Sequence, residues 1–193
     1  MVTPEQAYGA LKKVERDFDK PIVIFGAGGV GLMALSLLKA MGGKGAIVVD
    51  IDARKRDDAE KAGALATVDG AAPDALEQLA TKAGGPIRAV IDLVGNAATA
   101  QLGFDCLTKG GKLVMVGLFG GGAPWALPLI PMKAITIQGS YVGNLRETQE
   151  LLDLVRTKNI PPIPVTPMPL AKANEALVDL QKGRLVGRAI LTP

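Results

Sequence analysis

The 193-residue sequence contains no histidine and only one cysteine, Cys106. A structural zinc site needs about four cysteine or histidine ligands, and a catalytic zinc site typically needs three protein ligands rich in them. A Ser-His-Asp triad or a Cys-His pair also requires a histidine. We therefore predict that this chain by itself holds no metal and none of these catalytic groups. Cys106 lies among apolar residues of a predicted helix, and we expect it to be a small buried hydrophobic residue.

Aromatic residues make up only 4% of the chain, and the formal net charge is +3. Nucleic-acid-binding domains usually combine a basic stripe with stacking aromatic residues, so we predict no nucleic-acid partner. The most apolar stretch, residues 30–41, is interrupted by Ser36 and Lys39 and is too short to cross a membrane. Glu5 and Lys12 lie where a signal peptide would need an apolar run. We therefore predict a cytoplasmic protein that does not associate with a membrane.

The sequence is rich in short apolar runs that alternate with helical patterns. Such runs suit strands that are buried on both faces of a parallel sheet. Thr3, Pro4 and Gln6 predict the start of a leading helix, and Asp19, Lys20 and Pro21 are expected to end it. The alternation indicates an α/β fold, a doubly wound parallel six-stranded Rossmann sheet with helices on both faces. The predicted strands are residues 22–25, 46–50, 64–68, 88–94, 112–117 and 135–139, and the predicted helices between them are residues 30–41, 54–62, 74–82 and 97–107.

The pattern changes after the fifth predicted strand. Residues 120–129 are predicted to be a loop rich in glycine and proline, and they carry the only tryptophan, Trp125. Residues 160–169 hold five prolines, and because proline cannot donate a ladder hydrogen bond we predict a linker or an edge strand. We therefore predict a Rossmann domain with its leading helix over residues 1–159. Residues 160–193 would form a short C-terminal helix-strand tail.

A glycine-rich segment lies between the first predicted strand and the next predicted helix, where a dinucleotide fingerprint belongs. Gly26 would allow the tight turn, Gly28 would let the backbone approach a pyrophosphate, and Gly31 would let the helix pack closely on the strand. With Gly29 and Val30, these residues would place the pyrophosphate at the helix N-terminus, where free N–H groups and the helix dipole favour anions. A glycine-rich turn without any ligand is the alternative.

Asp50 ends the second predicted strand, about 20 residues after Gly31, where the ribose-binding acid of a dinucleotide site is expected. A carboxylate at this point accepts hydrogen bonds from both adenosine ribose hydroxyls and repels the 2′-phosphate of NADP. We therefore predict NAD as the cofactor, although Arg54 and Lys55 lie close by. The alternative role of Asp50 is to cap the helix that begins near Ala53.

The ends of the later strands supply further candidates, because the ligand of an open α/β sheet lies beyond the carboxyl ends of its strands. These ends are small or apolar, which suits a nicotinamide ring that needs a dry surface. Ordinary core packing is the alternative for each residue. The candidates are Leu93, Val94, Gly95, Val116, Gly117, Leu118, Ser140 and Val142.

Tyr8 and Lys12 have the Tyr-x-x-x-Lys spacing of short-chain reductases. In that family the pair follows the nucleotide fingerprint, whereas here it precedes the fingerprint. We therefore predict helix packing for Tyr8 and a surface position for Lys12.

Six segments together resemble the medium-chain, zinc-dependent alcohol dehydrogenases. The resemblance covers essentially the whole chain, but only the cofactor half and the C-terminal tail of such an enzyme. It implies the NAD-binding half of an oxidoreductase that transfers hydride between an alcohol and NAD. The segments are GAGGVG (26–31), VVDID (48–52), DLVGN (92–96), GGKLVMVG (110–117), ITIQGSYVGN (135–144) and GRLVGRAIL (183–191).

The resemblance also implies roles by position for the adenosine half of the cofactor. Residues 26–31 would hold the pyrophosphate, and Arg188 matches an arginine that reaches this group in the family. Asp50 would bind the ribose, with Ile51 and Lys55 beside the adenine. A solvent-facing charge on a strand is the alternative for Arg188.

For the nicotinamide half, the resemblance implies that Leu93, Val116 and Leu118 surround the ring. The backbone of Val116, Leu118 and Val142 would fix the carboxamide. Members of the family also often dimerise through the last strand of the sheet. We therefore expect a homo-oligomer in which residues 135–138 pair, covered by the apolar side chains of Trp125, Leu127, Leu129 and Ile130.

In this family a preceding catalytic domain supplies the zinc ligands and the proton relay, and this sequence contains neither. We therefore expect a truncated or separated piece of a longer enzyme, with zinc only in the missing catalytic domain and a small alcohol or aldehyde as substrate. The tail would normally pack on that domain. The isolated chain is expected to bind NAD without oxidising alcohols.

Two other hypotheses remain open from the sequence. One is the zinc-free branch of the same superfamily, the quinone or enoyl reductases, which usually prefer NADPH. The other is a non-catalytic module that binds NAD. A comparison of NAD and NADPH binding separates the first of these from an NAD-dependent dehydrogenase.

Overall fold

The computed structural model of the chain describes residues 4–123, 125–162, 164–185 and 187–193. The chain divides into a first unit, Met1–Ile160, and a second unit, Pro161–Pro193. Thr3, which is predicted to start the leading helix, lies outside the described residues.

The first unit contains a six-stranded sheet with the strand order β3-β2-β1-β4-β5-β6. All neighbouring strands are parallel. The strand order changes direction between β1 and β4, which is the switch point where ligands of open α/β sheets bind. The strands are β1 Ile22–Phe25, β2 Ala46–Asp50, β3 Ala66–Asp69, β4 Ala89–Asp92, β5 Lys112–Met115 and β6 Thr136–Gly139.

Helices connect these strands and confirm the predicted fold class. α1 contacts both α2 and α7, and α4 contacts α5. Crossovers between parallel strands are right-handed, and in a doubly wound sheet they place helices on both faces. The helices of the first unit are α1 Pro4–Lys12, α2 Gly29–Ala40, α3 Ala53–Lys61, α4 Ala75–Ala83, α5 Ala97–Cys106, α6 Leu129–Lys133 and α7 Leu145–Lys158.

Several details differ from the sequence prediction. β3 runs over Ala66–Asp69 instead of residues 64–68. The leading helix ends at Lys12 and is followed by a 3₁₀ turn at Glu15–Asp17, instead of continuing to the proline at residue 21. The short helix α6 was not predicted, because its five residues include Pro131 and give no helical periodicity. The strands β4 and β5 end earlier than predicted, at Asp92 and Met115.

The core lies on the central strands, which explains their continuous apolar sequences. Every residue of β1 and β4 is buried. On one side the core also includes Phe104, Leu107 and Leu113. Trp125 packs against this cluster and stacks on Phe104, with ring centroids 5.4 Å apart. Cys106 is partly buried against the same cluster, and burial raises the pKa of its thiol to about 12.

The second unit contains β7 Val165–Pro169, a 3₁₀ turn, α8 Ala173–Gln181 and β8 Arg188–Thr192. β7 and β8 pair in parallel as a two-stranded sheet. Both strands are therefore edges, which is where prolines are tolerated, and the predicted edge strand over residues 160–169 is β7. The unit leaves several large apolar side chains exposed, namely Val165, Leu170, Leu177, Val178, Leu180, Ile190 and Leu191.

In the part of the chain that the structure describes, no helix combines the length and the apolar character that crossing a membrane requires.

Candidate functional site

The glycine-rich segment connects β1 to α2, as predicted. Gly26 has a φ of +97°, and a Cβ there would lie 3.0 Å from a methyl group of Val94. A Cβ at Gly31 would overlap the carbonyl oxygen of Gly26. Both glycines are therefore required by the fold, because the first turn of α2 packs directly against the end of β1.

Gly28 differs from its neighbours, since a Cβ there would meet no protein atom within 4 Å. Its φ of −73° and ψ of −171° are allowed for any residue. Gly28 is the N-cap of α2, makes no side-chain capping bond, and is followed by no acidic residue in the first turn. The first amide groups of α2, at Gly29, Val30 and Gly31, have no acceptor within the helix, and such groups are where helices bind anions.

Asp50, at the end of β2, lies beside this loop. Its Oδ2 accepts a hydrogen bond from the backbone N–H of Ala27 at 2.8 Å, and its Oδ1 accepts one from the N–H of Asp52 at 3.0 Å. The helix cap of α3 is Asp52, whose side chain accepts from the N–H of Arg54 at 2.9 Å. The capping alternative for Asp50 is therefore wrong, and the carboxylate instead joins β2 to the glycine loop.

Two arginines that follow Asp50 form hydrogen bonds with nearby groups. Arg54 forms an ion pair with Asp52 at 3.3 Å, and this hydrogen bond lowers the pKa of the Asp52 carboxyl. Arg56, which was not a candidate, donates from Nη1 to the backbone carbonyl of Asp50 at 2.8 Å. Ile51 is 73% exposed, and Lys55 is half-buried.

The end of β4 turns around a buried carboxylate that sequence reasoning did not select. Asp92 is fully buried, and its Oδ1 accepts from the N–H groups of Val94 and Gly95, both at 2.9 Å. Its Oδ2 accepts from Thr99 Oγ1 at 2.8 Å. Burial raises the pKa of Asp92, and the hydrogen bonds oppose that shift. The candidates Leu93, Val94 and Gly95 are half-buried in the turn that Asp92 holds.

Two glycines let the segments that follow β4 and β5 touch. A Cβ at Gly95 would overlap the carbonyl of Gly117, and a Cβ at Gly117 would overlap the carbonyl carbon of Val94. The two segments also pair, since Gly120 N–H donates to the Gly95 carbonyl at 3.0 Å. We call this close approach of the two segments the crossing. It explains why the hydrogen-bond ladder between β4 and β5 stops before the ends that were predicted for these strands. Of the remaining candidates here, Val116 is buried and Leu118 is 76% exposed.

The chain just after β6 contains a buried serine and a strained valine. Ser140 is buried, and its N–H donates to the Met115 carbonyl at 2.8 Å. The Ser140 hydroxyl has no hydrogen-bond partner among the described residues. Val142 has a φ of +47°, which is unusual for a β-branched side chain. A Cβ at Gly143 would lie 2.8 Å from Glu5 Cβ. Contact with α1 therefore fixes the chain just after Val142.

A pocket of about 190 Å³ lies beside the crossing. Gly95 is the only one of the predicted site residues that lines it. Its other lining residues come from the start of α5, the end of β5 and the loop that follows, and they are Asn96, Ala97, Ala100, Met115, Gly120, Gly121, Gly122, Ala123 and Trp125.

Three further residues named in the sequence analysis lie on α1 or in the second unit. Tyr8 is buried against α7 and donates a hydrogen bond to Glu150 at 3.2 Å, so the prediction of helix packing is confirmed. Lys12 is not a free surface residue, because it forms an ion pair with the same carboxylate, and this pair lowers the pKa of Glu150. Arg188 lies on β8 of the second unit, and its role stays a prediction.

Comparison with known proteins gives a consistent set of matches. The family model described as zinc-binding dehydrogenase matches residues 29–157. An NAD-dependent alcohol dehydrogenase of Sulfurisphaera tokodaii is 34% identical over 188 residues, which are 96% of this chain and 54% of that protein. The chain thus spans about half the length of the curated relatives it matches.

Solved structures agree with these sequence matches. The alcohol dehydrogenase of the archaeon Aeropyrum pernix superposes with a TM-score of 0.86 at 31% identity, covering 97% of this chain and 55% of that one. Acetophenone reductase from Geotrichum candidum, solved in complex with NAD, gives a TM-score of 0.83 at 26% identity, covering 98% of this chain and 53% of that one.

Proposed function

Because this chain belongs to the zinc-binding dehydrogenase family, we propose that it is the NAD-binding part of an alcohol dehydrogenase-type oxidoreductase. The observation that carries the proposal is the open space at Gly28, before the first turn of α2, together with the hydrogen bond from Ala27 N–H to the Asp50 carboxylate. When bound, the nicotinamide ring supplies the hydride acceptor for alcohol oxidation. The residues of this chain bind and orient the coenzyme.

The pyrophosphate would lie over Gly28, against the first amide groups of α2. Gly28 has no structural need to be glycine, so its open space favours close approach of a ligand. The helix dipole and free N–H groups favour two linked phosphates at this point. Gly26 and Gly31 serve the same site indirectly by bringing the helix onto the strand end.

The adenosine ribose would be bound by Asp50. An ionised carboxylate has about four acceptor positions, and the N–H groups of Ala27 and Asp52 take two. The remaining positions can accept both ribose hydroxyls, with Ile51 and Lys55 beside the adenine. A 2′-phosphate would instead meet the negative charge of Asp50, which supports NAD over NADP.

The nicotinamide would lie over the ends of β4, β5 and β6. Leu93, Val116 and Leu118 provide apolar surface, and the backbone of Val116, Leu118 and Val142 provides polar groups for the carboxamide. Val94, Gly95 and Gly117 shape this surface through the backbone crossing. The unpartnered hydroxyl of Ser140 is a further candidate donor at the same edge.

Zinc does not fit the residues of this chain. The sequence has no histidine and one cysteine, Cys106, whereas a catalytic zinc site typically needs three protein ligands rich in these residues. No group of three or more histidine, cysteine or acidic residues is placed to hold a metal within the described ranges. We propose that the zinc and the alcohol or aldehyde bind to another part of a longer protein, against which the second unit packs.

The test of coenzyme binding is calorimetric titration of the purified chain with NAD⁺ and with NADP⁺. We expect NAD⁺ to bind more tightly, and Asp50→Asn to weaken NAD⁺ binding about ten- to hundredfold, the scale of a charged hydrogen-bond partner. Asp52→Asn is the matched control, because it removes an adjacent carboxylate but keeps a good helix cap. Absence of NAD⁺ binding, or equal binding by Asp50→Asn, would refute the proposal.

A further inference from the structure

Arg56, in the first turn of α3, reaches back to the carboxyl ends of two strands. Its Nη1 donates to the backbone carbonyl of Asp50 at 2.8 Å, and its Nη2 lies 3.4 Å from the carboxylate of Asp69. Asp50 and Asp69 are register partners at the ends of β2 and β3. The guanidinium therefore joins both strand ends to the helix that follows β2.

The arginine is the main partner of the Asp50 carbonyl. The backbone N–H of Gly70 also donates to this oxygen, at the longer distance of 3.4 Å. Only 19% of the Arg56 side chain is exposed, whereas 71% of the Arg54 side chain is. A partly buried guanidinium with two acceptors in place has little freedom, so it fixes the carbonyl that it binds.

Arg56 also brings a positive charge to an edge that carries two carboxylates. Its ion pair is with Asp69, whereas its bond to Asp50 is to the backbone carbonyl. Since the Asp50 carboxylate also binds Ala27 N–H, a shift of Asp50 would be transmitted to the glycine loop.

We propose that Arg56 is a positioning residue for coenzyme binding, which orients Asp50 toward the adenosine ribose without touching the coenzyme itself. The inference rests on the proposed function, in which Asp50 binds the ribose. Arg56 acts on the main chain of Asp50, and Asp69 holds the guanidinium in the orientation that this bond needs.

A double-mutant cycle on NAD⁺ affinity tests this role. Arg56→Met keeps the length of the side chain and removes its hydrogen bonds, and we expect it to weaken NAD⁺ binding about three- to tenfold. In an Asp50→Asn background the same change should weaken binding less than about twofold, because its route of action is gone. The control is Arg54→Met, which changes an exposed arginine two residues earlier on the same helix. It should change NAD⁺ affinity less than about twofold.

The outcomes separate this inference from the proposed function. If the wild-type chain does not bind NAD⁺, the proposed function fails; if it binds and responds to Asp50→Asn but not to Arg56→Met, only the role of Arg56 fails. Equal losses from Arg56→Met in both backgrounds would show a merely structural effect and overturn the inference. Should Arg56→Met fail to fold, Asp69→Asn tests the same link, with an expected loss of about twofold in NAD⁺ affinity and none in the Asp50→Asn background.

Discussion

The two ends of the proposed coenzyme site are built in different ways. The adenosine end, comprising residues 26–31, Asp50 and Arg56, is held by hydrogen bonds from N–H and guanidinium groups to Asp50. The nicotinamide end, comprising residues 93–95, 116–118 and 140–142, is held by contact between backbones and by the buried Asp92. The position of Asp50 at the adenosine end therefore depends on hydrogen bonds to charged groups, whereas the form of the nicotinamide end depends mainly on close packing of the backbone.

This difference corresponds to the two halves of the proposed ligand. Phosphates and ribose hydroxyls are recognised by donors and acceptors at fixed positions, and such groups tolerate water nearby. A nicotinamide ring instead requires a dry surface whose outline is set by the fold. Substitutions at Gly28 or Asp50 should therefore weaken binding more than folding, and substitutions at Gly95 or Gly117 should do the reverse.

The largest effect is expected at the nicotinamide end, from Gly117→Ala. The new methyl group would overlap the backbone at Val94, so the two segments must separate. We expect the free energy of unfolding to fall by about 3 kcal/mol, measured by urea denaturation. Gly122→Ala is the control, since a Cβ there meets nothing within 4 Å. A change of less than about 1 kcal/mol for Gly117→Ala would contradict the shape-based description of this end.

Gly28→Ala should show the opposite pattern at the adenosine end. Its methyl group meets no protein atom, so the free energy of unfolding should change by less than about 1 kcal/mol, the scale of a helix cap. The same methyl group would enter the space proposed for the pyrophosphate and weaken NAD⁺ binding about tenfold or more. Urea denaturation and calorimetry on one preparation measure both. Unchanged affinity would mean that no phosphate approaches Gly28.

The smallest effect concerns Asp92 and pH. Its folded-state pKa is raised above the ordinary value of 3.8, so just above that pH the folded chain binds more protons than the unfolded chain. This group alone therefore makes stability fall as the pH rises through the window between its unfolded and folded pKa values. The unfolding free energy of the wild type minus that of Asp92→Asn, measured across that window, should therefore fall as the pH rises. A value that rises with pH would mean that the three hydrogen bonds outweigh burial.

Sequence reasoning predicted the fold class and the family, and both are confirmed. The bounds of β1 and β2 are also as predicted, because both strands are apolar runs buried on two faces and closed by glycine or aspartate. Periodicity works where burial is uniform along an element. It fails at α6, where a five-residue helix has too few positions to show a pattern.

The contacts within the candidate site were much harder to predict. The bond between Ala27 and Asp50 joins residues from two different strand ends, and the crossing of Gly95 and Gly117 depends on the register of β4 and β5. Asp92 was overlooked, although an aspartate at the end of a buried strand is itself a signal of a capped turn. Arg56 was overlooked because Arg54 and Lys55 are closer to Asp50 in sequence, whereas helix geometry brings the later arginine back to the strand.

The single cysteine allows local unfolding around α5 to be measured by chemical modification. The Cys106 thiol lies at the end of α5 against the core and keeps its proton at neutral pH. Alkylating reagents attack the thiolate, so in the native state they react slowly and have no second cysteine to modify. The rate of maleimide incorporation, compared with the rate for the urea-unfolded chain, then gives the free energy with which the α5 region separates from the sheet.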